Sequence, residues 1–439
     1  MPKTPPVETL KAFTRSTDNV DSPVIFYPEL DSYADLAREK ERPIWNEFWS
    51  AEDNSIDEED RARAAAMGYF VLTGEQMQRA AEHHRPDVAR RFTEAAVELY
   101  GQPDVEEVRR LATEQYHYFD GLLGFPGIDH IRLTRVLSFL KKQLGEVTAK
   151  SEQSPDDLAE ARQAVREAFE ARFGNALSVF DDLDMSQKNV PVEEIARLFG
   201  EAKNVLAETD PAWNGEKIVL SDKKSMGYDN KKHEIQIGKK GSYGPKRMKR
   251  LFIEEALVHA QRTMNGAKTG DETIEHGLPG YLASEEGLAK FVQVSMGEEL
   301  GEKSVDFYVD TSFALGQLGQ EPVSRPELVD FYVDKMVVRQ QAQQNEIDMD
   351  KLYDDAWRYA NRIYRGSLGN EHIGVNTKDI AYYQGYLIIG NYIKQELDRG
   401  IEAGELLDYL LSGRFDPTNQ RHVASIGQFV ETPLVASLQ

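Results

Sequence analysis

Apolar residues recur at three- and four-residue intervals through most of the first half of this chain. The clearest case is "SPDDLAEARQAVREAFEARFG", in which Leu158, Ala161, Ala164, Val165 and Phe169 share one helical face. Ser154 suits the N-cap, Pro155 the first helical position, and Asp156 and Asp157 the positive end, while Gly174 offers a stop. Similar patterning from about Ile25 to Leu206 predicts a helical N-terminal region over residues 23–206. A polar, Pro-containing leader over residues 1–22 is expected to be poorly ordered.

The pattern changes near Pro211. "EKIVLSD" and "HEIQIGK" read as short strands, the second with Ile235 and Ile237 on one face, and "KKSMGYDNKK" between them reads as a turn-rich connection. "GSYGPKRMKR" then leads into a helix, and helical patterning continues to Leu411, broken at "NGAKTGDE", "LPG" and "GSLGNEHIGVNTKD". The expected fold is therefore mainly α with a small β element (α+β), with a boundary at residues 207–215 and a second domain over 207–439. No internal repeat of fixed period is visible.

Composition narrows the chemistry. The 439 residues contain no cysteine, so disulfides, cysteine-ligated zinc and Fe–S clusters are excluded, and any metal must be held by His, Asp or Glu. The net charge of −23 argues against nonspecific binding to nucleic acid or to an anionic membrane. The mean hydropathy is −0.55. The N-terminus lacks the apolar core of a signal peptide and no run reaches the length of a transmembrane helix, so a soluble cytoplasmic protein is the expectation. Against the acidic background stands a basic stretch: Lys223, Lys224, Lys231, Lys232, Lys239, Lys240, Lys246, Arg247, Lys249 and Arg250. It reads either as the solvated faces of a hairpin and helix approach or as a rim steering an acidic peptide.

Three segments carry candidate chemistry: "IEEALVHAQRTMNG", "YLASEEGLAKF" and "YRGSLGNEHIGVNTKDIAYYQG". Each alone has a plain explanation, since paired glutamates favour a helix start and lone histidines are common in cores. Zinc peptidases take two ligands from one helix and a third from a following helix, with a nonligand Glu as general base. Glu254 and His259 stand five apart, about 140° of rotation on a regular α-helix. They can face one ion only if the helix widens into a π-type i→i+5 register, a feature frequent at functional sites.

Together and in this order, "EEALVH", "AQRTMNG", "SEEGLA", "YRG" and "TKDIAYYQG" resemble the tyrosine carboxypeptidase-like metallopeptidases. That family includes microtubule-associated tyrosine carboxypeptidases and bacterial proteins named for a "QEGLA" motif. The resemblance runs through roughly residues 210–400 and implies a gluzincin-like metallopeptidase core acting on peptide or protein C-termini. It places the catalytic glutamate at Glu255 and zinc ligands at His259 and Glu286. The family's first ligand, a histidine, is replaced here by Glu254.

A carboxylate can ligate zinc, but Glu/His/Glu carries one more negative charge than His/His/Glu, which weakens the ion as a Lewis acid. The harder set also admits Mn²⁺, Mg²⁺ or Ca²⁺. Two readings stay open: an altered metallocarboxypeptidase, or a pseudopeptidase that binds peptides or serves as a scaffold. His233 and His276 could substitute as ligands, though neither stands at a family position. Arg262, Arg365 and Lys378 are candidates for holding a substrate carboxylate, each with a structural ion pair as the alternative. Asn265 belongs to the same candidate substrate-binding set. Tyr382 and Tyr383 are candidates for substrate contact and for donating to an oxyanion, with core packing as their alternative.

Overall fold

The computed structural model of the chain describes residues 90, 93, 94, 96, 97, 100–148, 157–278, 280–364 and 373–430. The leader over 1–22, the Ser154–Pro155–Asp156 cap and Arg365 lie outside these residues. The backbone divides into two units that alternate along the sequence, Met1–Glu152 with Glu302–Ile380, and Gln153–Gly301 with Ala381–Gln439. The boundary expected at 207–215 falls inside the second unit. There the compositional change at Pro211 marks a passage from helix to strand, because the preceding helix packs directly on the sheet next in sequence.

In chain order the first unit supplies α1 (Val105–Asp120) and α2 (His130–Leu144). The second supplies α3 (Ala159–Leu177), α4 (Val192–Thr209), strands β1 (Lys217–Ser221), β2 (Gly227–Asp229) and β3 (Glu234–Gly238), then α5 (Pro245–Leu251). A π-helical segment (Phe252–Ala260) continues α5 and runs into α6 (Gln261–Ala267), with α7 (Glu272–His276) and α8 (Leu282–Ser295) beyond it. The first unit resumes with α9 (Glu302–Leu315), α10 (Arg325–Ala342) and α11 (Met349–Ile363). The second closes with α12 (Ala381–Asp398), α13 (Ala403–Leu410) and α14 (Gln420–Ile426).

The first unit is a packing of helices, α1 on α2 and α9, and α10 on α2 and α11. Its helices start where short polar side chains satisfy orphan backbone donors: Asp104 for α1, Asp129 for α2, and a reciprocal Ser324–Glu327 capping box for α10. Its core also holds charge. Fully buried Lys335 on α10 lies 3.1 Å from Asp306 and 3.2 Å from Asp310, one turn apart on α9, and Tyr359 donates to Asp310 at 2.7 Å. A lysine without solvent is tolerable only with such partners.

In the second unit α3 turns Leu158, Ala161, Val165 and Phe169 inward, as the periodicity predicts. It does not stop at Gly174 but continues to Leu177, because Phe173, Ala176 and Leu177 extend the buried stripe. The sheet order is β1-β3-β2, with β1 parallel and β2 antiparallel to β3. Ile235 and Ile237 of β3 are both fully buried. The stretch expected as a plain turn contains β2, three residues paired from Gly227↔Gln236 to Asp229↔Glu234. So short a strand leaves little alternation to read, and its pairing with β3 creates it.

Helices α8 and α12 meet backbone to backbone. A Cβ placed on Gly385 would stand 1.9 Å from the Ala283 carbonyl oxygen, and one on Gly287 would stand 2.3 Å from Gly385. Two glycines thus let the helix bearing Glu285 and Glu286 lie directly on α12. Among the described residues no helix is long and apolar enough to cross a membrane.

Candidate metal centre

The segment "FIEEALVHA" is buried on nearly all sides: Phe252, Ile253, Ala256, Leu257, Val258 and Ala260 are each 3% exposed or less. Its π register supplies the widening that the five-residue spacing of Glu254 and His259 requires. Glu286 arrives from α8, and one ligand atom from each of Glu254, His259 and Glu286 falls within 4.8 Å of the others. It is the group of His and acidic side chains with metal-ligating geometry among the described residues.

The donors are oriented from behind. His259 Nδ1 donates to Glu285 Oε1 at 2.7 Å, which turns Nε2 toward the cluster. Gln293 Nε2 donates to Glu254 Oε2 at 2.8 Å and leaves the other carboxylate oxygen available, while Lys290 donates to the Gln293 oxygen at 3.0 Å. Held imidazole and carboxylate groups with hydrogen-bonded outer partners are what a divalent ion needs, so the residues fit a bound metal.

Glu255 is outside this ligand trio, and its Oε2 accepts the backbone N–H of Tyr228 in β2 at 2.8 Å. Burial pushes its pKa up. The His259 charge and the Tyr228 amide pull it back, the Glu254 and Glu286 carboxylates push it further, and it stands at about 8. Burial acts to lower the His259 pKa, but the Glu285 hydrogen bond and the charges of Glu285, Glu286 and Glu255 outweigh it and raise it to about 9. Burial alone would raise Glu285 as well. Arg414, Arg262 and the His259 hydrogen bond instead hold it well below the usual carboxylate range.

Arg262 has the ion-pair role named as its alternative. It is 1% exposed, and its three nitrogens donate to the Gly413 carbonyl, Glu285 Oε2 and the Phe415 carbonyl, each at 2.6 Å. Each of its nitrogens is thus already engaged inside the fold, as a structural ion pair requires. Asn265 likewise binds within the fold, donating to the Leu411 carbonyl at 2.8 Å and accepting from Gln261 and Lys268. Tyr382 and Tyr383 open α12 against α8, Tyr383 buried and Tyr382 half-buried. Lys378 belongs to the other unit, where its N–H donates to Asn376 at 2.9 Å.

His233 does not join the cluster. Its two nitrogens face Glu216 at 2.9 Å and Glu275 at 3.4 Å. Nor does His276, at the end of α7. Of the basic stretch, Lys232, Lys239 and Lys249 pair with Asp229, Asp222 and Asp181, as solvated faces would. No pattern in the sequence marks Gln293, Tyr228 or Arg414, or gives Glu285 a role of its own. Adjacency of Glu285 to Glu286 is the one available signal, since the others come from a strand, a distant loop and a position two turns further along α8.

A profile of the microtubule-associated tyrosine carboxypeptidase family matches residues 346–437. The matched stretch holds Tyr382, Tyr383 and Arg414 and lies downstream of Glu254, His259 and Glu286. No curated protein and no solved structure gives a significant match.

Proposed function

We propose that the chain is a metallopeptidase-like protein of carboxypeptidase type, working at peptide or protein C-termini through an altered metal centre. The observation that carries this reading is the convergence of Glu254, His259 and Glu286 through a π-helical segment. The profile match over residues 346–437 supports the same class from a different part of the chain.

Glu254, His259 and Glu286 would hold the ion, Zn²⁺ by the resemblance, with Mn²⁺ or another divalent cation admitted by the two carboxylates. When bound, the ion supplies Lewis-acid activation of water and of the scissile carbonyl. Glu255 is the proton acceptor, standing next to Glu254 on the π-helical segment with one of its oxygens fixed by the Tyr228 amide. Tyr383 is assigned to the oxyanion and Tyr382 to substrate contact. The basic stretch favours an acidic peptide partner, in a cytoplasmic setting.

One observation favours the binding-only alternative. Glu285 accepts from His259 and is paired with Arg262 and Arg414, so the acidic cluster has counter-charges of its own beside the ligand trio.

Elemental analysis of protein purified without chelator tests the reading. The expected result is one divalent ion per chain, with cleavage of an acidic peptide abolished in Glu255→Gln. An absence of metal after addition of zinc or manganese, with peptide binding unaffected by EDTA, establishes the pseudopeptidase instead. Glu254→His is expected to tighten zinc binding by supplying the neutral ligand of the His/His/Glu set.

A further inference from the structure

A site for chain ends must hold a free carboxylate as well as a metal, so a carboxylate anchor here rests on the carboxypeptidase-type reading of the metal centre. The best anchor is a permanently charged, fixed guanidinium with donors left over. Arg262 is 1% exposed with every nitrogen hydrogen-bonded within the fold, and Lys290 donates to Gln293.

Arg414 differs from both. Its backbone is pinned on each side, its N–H donating to the Ile274 carbonyl and its own carbonyl accepting from the Leu278 N–H, both at 3.0 Å. Its neighbours Gly413 and Phe415 give their carbonyls to Arg262, and Phe415 also accepts from Ser284 at 2.7 Å. The guanidinium lies over the Tyr281 ring, 5.0 Å from its centre, and the residue is only 9% exposed. Its Nε stands 3.3 Å from Glu285 Oε1, in ion-pair contact but off the line of a hydrogen bond. The two terminal nitrogens, Nη1 and Nη2, make no hydrogen bond to a described residue. The charge of Glu286 and the Tyr228 hydroxyl lie within its electrostatic reach.

We propose that Arg414 receives the terminal carboxylate of a bound peptide through Nη1 and Nη2, and so restricts this site to chain ends. Glu285 carries one negative charge against Arg262, Arg414 and the His259 N–H. With Glu286 committed to a metal, the Arg414 guanidinium keeps positive field for a second carboxylate. Because it is already ordered over Tyr281, binding costs little further side-chain entropy. A charge-assisted fork of this kind discriminates a carboxylate from a neutral carboxamide.

The test measures binding of a fluorescein-labelled short acidic peptide ending in tyrosine, as free acid and as C-terminal amide, to the full chain carrying zinc or manganese. The wild type is expected to prefer the acid by about ten- to a hundredfold. Arg414→Gln is expected to bind both forms at the level of the amide while its circular dichroism stays unchanged. Arg414→Lys keeps the charge beside Glu285 without the fork, and is expected to show an intermediate preference. That variant carries the test if Arg414→Gln fails to fold. An unchanged acid preference in either folded variant overturns the proposal. Equal binding of acid and amide by the wild type overturns the carboxylate pocket and leaves a peptide site standing. Failure of the wild type to bind either form overturns both.

Discussion

His259 donates to Glu285, and Glu285 at the same time meets Arg262 and Arg414, so one carboxylate aims the imidazole and is the shared counter-charge of two buried guanidiniums. Glu285→Gln keeps an acceptor for His259 but removes the charge. Metal affinity is expected to fall about 10–100-fold, measured by competition with a chelator of known affinity. Stability is expected to fall by about 3–5 kcal/mol in chemical denaturation, because Arg262 is left buried without its counter-charge. Metal affinity equal to wild type would remove the orienting role of Glu285. Glu254 is the other decisive position at this scale, and the Gln293 hydrogen bond shows that the fold has a partner for a carboxylate there.

At the scale of elements, the π-helical segment and the α8–α12 contact together set where the ligands stand. The five-residue spacing of Glu254 and His259 calls for a widened helix, and the structure has one at Phe252–Ala260. The α8–α12 contact is not legible in the sequence, since Gly287 and Gly385 come from segments far apart in the chain and neither is in a turn. Gly385→Ala forces its new methyl group onto the Ala283 carbonyl. It is expected to destabilise the protein by about 1–3 kcal/mol and to weaken metal binding by displacing Glu286. Gly404→Ala is the control, because nothing lies within 4 Å of its added Cβ on α13. It is expected to leave metal binding unchanged and to stabilise slightly, by up to about 1 kcal/mol. Equal melting temperatures for the two variants would show that the helices do not need this close approach.

For the whole molecule the cluster makes stability depend on pH. The folded His259 pKa is raised to about 9, so its contribution is complete below the unfolded value of about 6.5 and is lost as pH rises through about 9. Glu255 acts in the same direction. With its pKa raised from 4.5 to about 8, the folded state holds a proton that the unfolded state has released, and stability falls as pH rises between those values. Glu285 is depressed, so its contribution is present above its unfolded pKa and is lost as pH falls through its folded one. The metal-free protein is therefore expected to melt at progressively lower temperature from about pH 5 to pH 9. A bound ion requires His259 to release its proton, and the ion's charge favours the same at Glu255, so the stabilisation it gives is expected to grow over that same range. Thermal melts with EDTA and with added zinc or manganese across this range measure both slopes, and parallel slopes would refute the coupling.

Sequence by itself determined the local features: amphipathic periodicity gave α3 its buried face, the alternation at Ile235 and Ile237 gave β3, and the absence of cysteine limited ligands to His, Asp and Glu. It also offered Glu254, His259 and Glu286, the first two by their spacing in one helical segment and all three, with Glu286 rather than Glu285, through the family resemblance. Only the tertiary structure decided what surrounds them. Tyr228, Gln293, Arg262 and Arg414 act by facing groups on other elements, and local periodicity records burial rather than which buried groups meet. The division into two interleaved units escaped the sequence for the same reason, since contacts between segments far apart in the chain leave no mark on the spacing of residues within either one.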